Sequence, residues 1–133
     1  MADPMQVEVV SADEVVWSGE ATNIIAKTVD GDIGILANHS PVLAVLAPSG
    51  VEIVCPDGNR EIIAIEGGFL SVSRGRVSIL SEYARLGQEI SLAQAEKDLA
   101  AATAAIDGGD DSDETHSKML RATAQVRAAQ KAH

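Results

Sequence analysis

Three histidines, His39, His116 and His133, and a single cysteine, Cys55, are the side chains best suited to metal binding or proton transfer. Their spacing favours neither. His39 stands beside Ser40 and Pro41 in loop-forming sequence, His116 follows an acidic stretch, and His133 is the last residue. No two of them have metal-ligand spacing, and none pairs with Cys55. A base at His39 needs a nucleophile or carboxylate partner that the sequence does not place, so loop anchoring or an interface contact is its simpler role. Adjacent carboxylates occur at Asp110-Asp111 and Asp113-Glu114, in a polar turn that offers no burial to shift a pKa. Gly31-Asp32-Ile33-Gly34 and Gly67-Gly68 suggest phosphate loops. A Walker loop, however, ends in Gly-Lys-Ser/Thr, and a dinucleotide-binding turn needs a third glycine opening a helix. Neither is present, so these glycines suit bulges and tight turns. Cys55 ends an apolar run and reads as a buried, inert thiol. The chain carries no catalytic constellation, no metal site and no cofactor site.

Composition narrows the remaining classes. The 133 residues carry a net charge of −10, which argues against a general nucleic-acid binder and against docking on anionic lipid. The chain is 46% hydrophobic but 2% aromatic, with Trp17, Phe69 and Tyr83 the whole aromatic set, so its core must be aliphatic, filled by Val, Ile, Leu and Ala. One cysteine allows no internal disulfide and fits a reducing compartment. Met1-Ala2-Asp3-Pro4 lacks the apolar segment of a signal peptide. No apolar run approaches the roughly 20 residues of a membrane span. These features predict a soluble chain whose membrane contact, if any, goes through partner proteins.

The period of the apolar pattern changes once. Segments 6–10, 14–17, 22–28, 33–36, 42–46, 51–55, 61–65, 69–73 and 76–80 read as strands, several alternating with a period of two. Pro56-Asp57-Gly58-Asn59 is a hairpin turn. Pro41 and Pro48 bracket one strand and suit a sheet edge. Short strands with frequent turns predict a sandwich or barrel. After Gly87 the helical period takes over. Ser91-Leu92-Ala93-Gln94 is a capping box, and Leu92, Ala95, Leu99, Ala102 and Ile106 form an apolar stripe. Gly108-Gly109 breaks that helix. A second helix is expected from Ser117, with Met119, Ala122, Val126 and Ala129 as its stripe, folding back as a hairpin. The expected organisation is therefore a β-sandwich over 1–87 followed by an α-helical hairpin over 88–133. Charge is uneven: residues 1–87 hold five basic and twelve acidic residues, whereas 115–133 hold Lys118, Arg121, Arg127 and Lys131 and no acidic residue. A basic last helix suits either a solvated face or an acidic partner.

Several motifs together carry a family resemblance. Gly31-Asp32-Ile33-Gly34-Ile35-Leu36 leads into His39 and Pro41. Glu66-Gly67-Gly68-Phe69-Leu70 is followed by Val77-Ser78-Ile79-Leu80. Val9-Val10-Ser11-Ala12 precedes Trp17-Ser18-Gly19. In this combination the chain resembles the epsilon subunit of bacterial F-type ATP synthases. The resemblance implies a flattened sandwich of about ten strands and a two-helix hairpin. It implies a rotor part of the central stalk that couples proton flow to ATP synthesis without a catalytic site of its own. Gly31 and Asp32 would face the ring of c subunits; His39, Ser40 and Pro41 would lie near the gamma subunit. The hairpin would reach the alpha and beta subunits and restrain ATP hydrolysis, with Lys118, Arg121, Arg127 and Lys131 as its contacts. Residence on the cytoplasmic face of the bacterial plasma membrane follows from the same likeness. Members that bind ATP on the hairpin carry an acidic residue and an Arg-Ala pair where this chain reads Ser91 and Gln94-Ala95, so ATP binding is not expected. The competing reading, a small-ligand-binding β-sandwich, sits poorly with so few aromatic side chains.

Overall fold

The computed structural model describes residues 3–12 and 14–132; His133 lies outside them. Ten strands precede two helices: β1 (Met5–Ser11), β2 (Glu14–Ala21), β3 (Asn23–Thr28), β4 (Gly31–Leu36), β5 (Val42–Leu46), β6 (Ser49–Val54), β7 (Arg60–Ile65), β8 (Gly68–Ser73), β9 (Arg76–Ser81), β10 (Ala84–Leu86), α1 (Leu92–Asp107) and α2 (Asp113–Ala132). The hydrogen-bonded order is β10-β7-β6-β3-β5-β8-β9-β1-β2, with β4 on the other edge of β3. One residue pair, Thr28 with Leu46, joins β3 to β5. At that seam the sheet folds into two layers, the sandwich that the turn-rich sequence predicts.

The core between the layers is aliphatic, as the composition requires. Val7 and Val9 of β1, Ile24 of β3, Ile35 of β4, Ile53 of β6, Leu70 of β8 and Ile79 of β9 are all buried there. Most strands alternate because one face meets this core and the other meets water. Strand β7 does not: Ile62, Ile63, Ala64 and Ile65 are all buried. Ile63 and Ile65 point inward, while Ile62 and Ala64 support the helices. Gly68 sits at φ +112, and a Cβ there would fall 2.0 Å from Leu80 O. The Gly67-Gly68 pair thus permits a close strand crossing.

The hairpin differs from expectation in three details. α2 begins at Asp113, four residues before Ser117, because Ser112 Oγ accepts from Thr115 N and caps it. Ser91 Oγ accepts from Gln94 N at 3.3 Å, but the Gln94 side chain donates to Asp98 rather than returning to the cap. Only half of the capping box is formed. The buried face of α2 is Ala122, Ala124, Ala128 and Ala129, wider than a single stripe, because the helix packs on α1 and on β6–β7 at once. Met119 and Val126 are half-buried at its borders.

Candidate functional site

The two segments singled out by sequence lie at opposite ends of β4. Gly31 and Asp32 open the strand, exposed, beside the turn tip at Val29. Thr28 Oγ1 donates to Gly31 O and accepts from Asp30 N, which fixes that turn. Asp32 stands opposite Lys27 across the β3–β4 ladder. His39, Ser40 and Pro41 follow the far end of the strand, about 17 Å away for five residues at roughly 3.3 Å each. The His39 ring, half-buried in an otherwise exposed loop, donates from Nδ1 to Ser40 O at 2.6 Å, a local anchor. This loop borders a cleft with Arg74 and Arg76. The structure thus separates the two predicted contacts instead of joining them in one patch.

A surface that sequence reasoning missed lies on the outer face of the β5-β8-β9-β1-β2 layer. Val45 pairs with Phe69, Phe69 with Leu80, Leu80 with Val10, and Val10 with Val15. Cross-strand partners share a face, so these five side chains form one row across five strands. Val45, Phe69, Leu80 and Val15 are 48–52% exposed, and Leu43, two residues along β5 from Val45, is 70% exposed. The next row along the strands is polar beyond Leu43: Ser71, Ser78, Glu8 and Ser18. A continuous apolar band rimmed by polar groups is the usual form of a protein-binding face. The signal was present in the sequence, since Phe69-Leu70 and Ile79-Leu80 place apolar residues on both faces of their strands.

The second surface is where α2 rests on the body. A Cβ on Gly50 would lie 2.7 Å from Ala128 Cα and 3.0 Å from Ala128 Cβ, so helix and strand meet nearly backbone to backbone. Ile62, Ile90 and alanines of both helices fill the seam. Three of the four basic residues expected to meet a partner are engaged here. Arg121 Nε donates to Glu66 Oε2 at 3.3 Å and its guanidinium stacks 4.6 Å from the Tyr83 ring centroid. Arg127 donates to Pro48 O, and Lys131 Nζ donates to Gly50 O at 3.0 Å. Gln125 Nε2 donates to Tyr83 Oη at 2.8 Å. Lys118 instead pairs with Glu114 one turn back.

Two ionisable groups away from these surfaces depart from their ordinary values. The Asp110 carboxyl is held down to about 2, first by the Ser112 backbone N–H and then by the Thr115 and Ser112 hydroxyls. Hydrogen bonding, not burial, causes that shift. The Cys55 thiol is pushed up by burial, then by the charges of Asp57 and Glu61, but it is half-buried just past the end of β6 rather than buried as expected. Among the described residues no group of three or more His, Cys, Asp or Glu side chains could hold a metal. No helix of the described residues is long and apolar enough to cross a membrane.

Comparison with known proteins agrees with this architecture. Residues 4–87, the sandwich, match the family described as ATP synthase, Delta/Epsilon chain, beta-sandwich domain. The ATP synthase epsilon chain of Cutibacterium acnes is 52% identical over 96 residues, 71% of this chain and 66% of that one. The epsilon chain of Streptomyces avermitilis is 44% identical over 104 residues, 78% of this chain and 84% of its own. Among solved structures, a chain of the Euglena gracilis mitochondrial ATP synthase OSCP/F1/c-ring assembly superposes with TM-score 0.80 at 25% identity, covering 96% of this chain and 81% of that one. A chain of the Tetrahymena thermophila mitochondrial ATP synthase central stalk and c-ring shares the fold, with TM-score 0.60 at 19% identity over 98% and 97% of the two chains. By the family match and these identities, the chain belongs to the ATP synthase epsilon-chain family.

Proposed function

We propose that this chain is a non-catalytic rotor component of a bacterial ATP synthase central stalk, coupling proton translocation to ATP synthesis. The observation that carries the reading is the uncovered row Val10-Val15-Val45-Phe69-Leu80, which a subunit working alone has no reason to keep in water. Its occupant is the gamma subunit. The contact runs from His39, Ser40 and Pro41 through Leu43, which continues the outward alternation of β5, to the row. Gly31 and Asp32, at the other end of β4, face the polar loops of the c ring. The body over 1–87 makes these contacts on the cytoplasmic face of the membrane. The hairpin over 88–133 restrains hydrolysis by leaving the body, whereupon Lys118, Arg121, Arg127 and Lys131 meet acidic segments of alpha and beta.

Phe69→Asp tests the gamma contact. Phe69 is half exposed, so the fold survives the change, which a melting curve checks. Burying an unpaired charge in an interface costs at least about 2 kcal/mol, so the affinity for gamma should fall roughly thirtyfold or more, and recovery of gamma with the variant should drop. Unchanged recovery of gamma with the variant overturns the reading. Truncation after Gln88 tests the brake: hydrolysis by membranes should rise, and an unaltered rate removes the regulatory role.

A further inference from the structure

The face that carries the apolar row changes chemistry farther along its strands. On β9, Val77 and Ile79 are buried, so Leu80, Ser78 and Arg76 point outward together. Arg76 thus lies four residues from the row, about 13 Å at roughly 3.3 Å per residue. Its neighbours across the ladders are Gln6 of β1 and Ser73 of β8. Arg74 tops the β8–β9 turn, and both arginines line a cleft of about 600 Å³ with Gln6, Asn38, His39 and Ser40.

Two observations set these arginines apart. The body over 1–87 holds five basic residues, of which Arg60 pairs with Glu52 and Arg85 with Glu89. Neither guanidinium of Arg74 and Arg76 enters an ion pair or a hydrogen bond among the described residues. Asp3 lines the same cleft and Glu8 stands diagonal to Arg76 across β1–β9, yet both leave the arginines free. The other observation is backbone strain. Arg74 has φ +50 and Gly75 φ +76, a turn whose first central position favours Asn, Asp or Gly. The left-handed backbone costs energy at an arginine, so the side chain and not its backbone preference accounts for the residue there. Two guanidiniums with every donor unspent match carboxylates, which they bind through paired hydrogen bonds.

We propose that Arg74 and Arg76 are the charged anchor of the stalk contact and take carboxylates from an acidic segment of the gamma subunit. The inference rests on the reading that gamma covers the row, and it adds the chemistry of the far end. The matching surface carries an apolar stretch over Phe69 and Leu80 and carboxylates about 13 Å farther on. An apolar row alone does not distinguish the two directions along the strands, whereas a cationic pair at one end does. Charges at the rim of an interface act chiefly by steering association and fixing orientation.

The experiment follows association and dissociation of the full chain with the alpha–beta–gamma complex, at low and at physiological ionic strength. The variant is Arg74→Asn with Arg76→Gln. Both side chains are exposed and Asn-Gly is the favoured pair for this turn, so the melting temperature should hold or rise. At low salt the variant should bind about fivefold more weakly or worse, chiefly through slower association, and its affinity should depend less on salt. Arg74→Lys with Arg76→Lys keeps the charge and should restore the salt dependence. Equal affinity and equal salt dependence in wild type and the Asn/Gln variant overturn the anchor, and weakening by Phe69→Asp in the same assay then leaves the gamma reading standing. A loss that lies wholly in faster dissociation, with the salt dependence intact, also overturns it, because that is the mark of a structural role. If the wild-type chain does not bind the complex, the anchor and the gamma reading fall together.

Discussion

Gly50→Ala is the smallest change that should loosen the hairpin without harming the sandwich. The added Cβ lands 2.7 Å from Ala128 Cα and 3.1 Å from Ile62 Cγ2. One neighbour is helix backbone and the other a packed side chain, so no flexible tip can move aside. Overpacking of this kind costs roughly 1–3 kcal/mol. The strand is held by ladders to β7 and β3, whereas α2 is held by one alanine-lined seam, so the strain falls on the helix. The docked-to-released ratio should drop about 5- to 150-fold, since about 1.4 kcal/mol is a factor of ten. Native-state hydrogen exchange reads this directly: α2 amides should lose that factor of protection while Ile24 and Ile53 keep theirs. Gly34→Ala is the control, because a Cβ at Gly34 meets nothing within 4 Å. Unchanged α2 protection in Gly50→Ala would refute the argument, as would equal loss of protection in helix and sandwich core.

A double-mutant cycle between Arg121→Ala and Glu66→Gln should return a coupling of about 0.2–1 kcal/mol that shrinks with salt, since Arg121 is half exposed; thermal melts at two ionic strengths check it. Asp110 has its folded pKa lowered from 3.8 to about 2, so its contribution to the turn is complete above 3.8 and disappears as pH falls through 2. The Asp110 carboxyl carbon should therefore titrate near 2 by NMR, and Thr115→Val should move that midpoint upward. Cys55 has a raised thiol pKa, so alkylation at neutral pH should be slower than for an exposed cysteine peptide, and Asp57→Asn should speed it. Iodoacetamide kinetics between pH 7 and 9 provide the measurement.

Period and turn chemistry made the body legible. Alternation in Arg76-Val77-Ser78-Ile79 and the Asp57-Gly58 turn both reflect local physics, and both stand in the structure as β9 and the β6–β7 hairpin. β10 escaped notice because Ala84-Arg85-Leu86 is too short to show a period and owes its form to pairing with β7. The start of α2 escaped because the acidic run 110–114 reads as a loop until Ser112 and Asp110 act as caps. The row on the outer face was hidden because Val42-Leu43-Ala44-Val45-Leu46 is apolar on both faces, and alternation cannot say which face stays in water. His39 was readable as a loop residue, whereas Gly31 and Asp32, read as loop, pair with Thr28 and Lys27 and open β4, and the separation of the two segments follows only from that strand being extended.

The docked hairpin also changes what its basic residues signify. Arg121, Arg127 and Lys131 were expected to face a partner, yet each meets an acceptor on the sandwich. These contacts are partly exposed, and on release Pro48 O and Gly50 O exchange a cation for water, a near-even trade. The apolar seam has no such substitute. Exposing Ile62 and Ile90 costs about 1.5–3 kcal/mol each, and the alanines add less. The seam therefore sets how strongly the hairpin is held, and the cations set where it lands. Replacing all three cations by glutamine should accordingly blur the register of α2 on β6 more than it frees the helix. Cross-linking yield between cysteines placed at Ala128 and Gly87 is the readout; an unchanged single register in the triple variant would assign positioning to the Gly50–Ala128 contact alone.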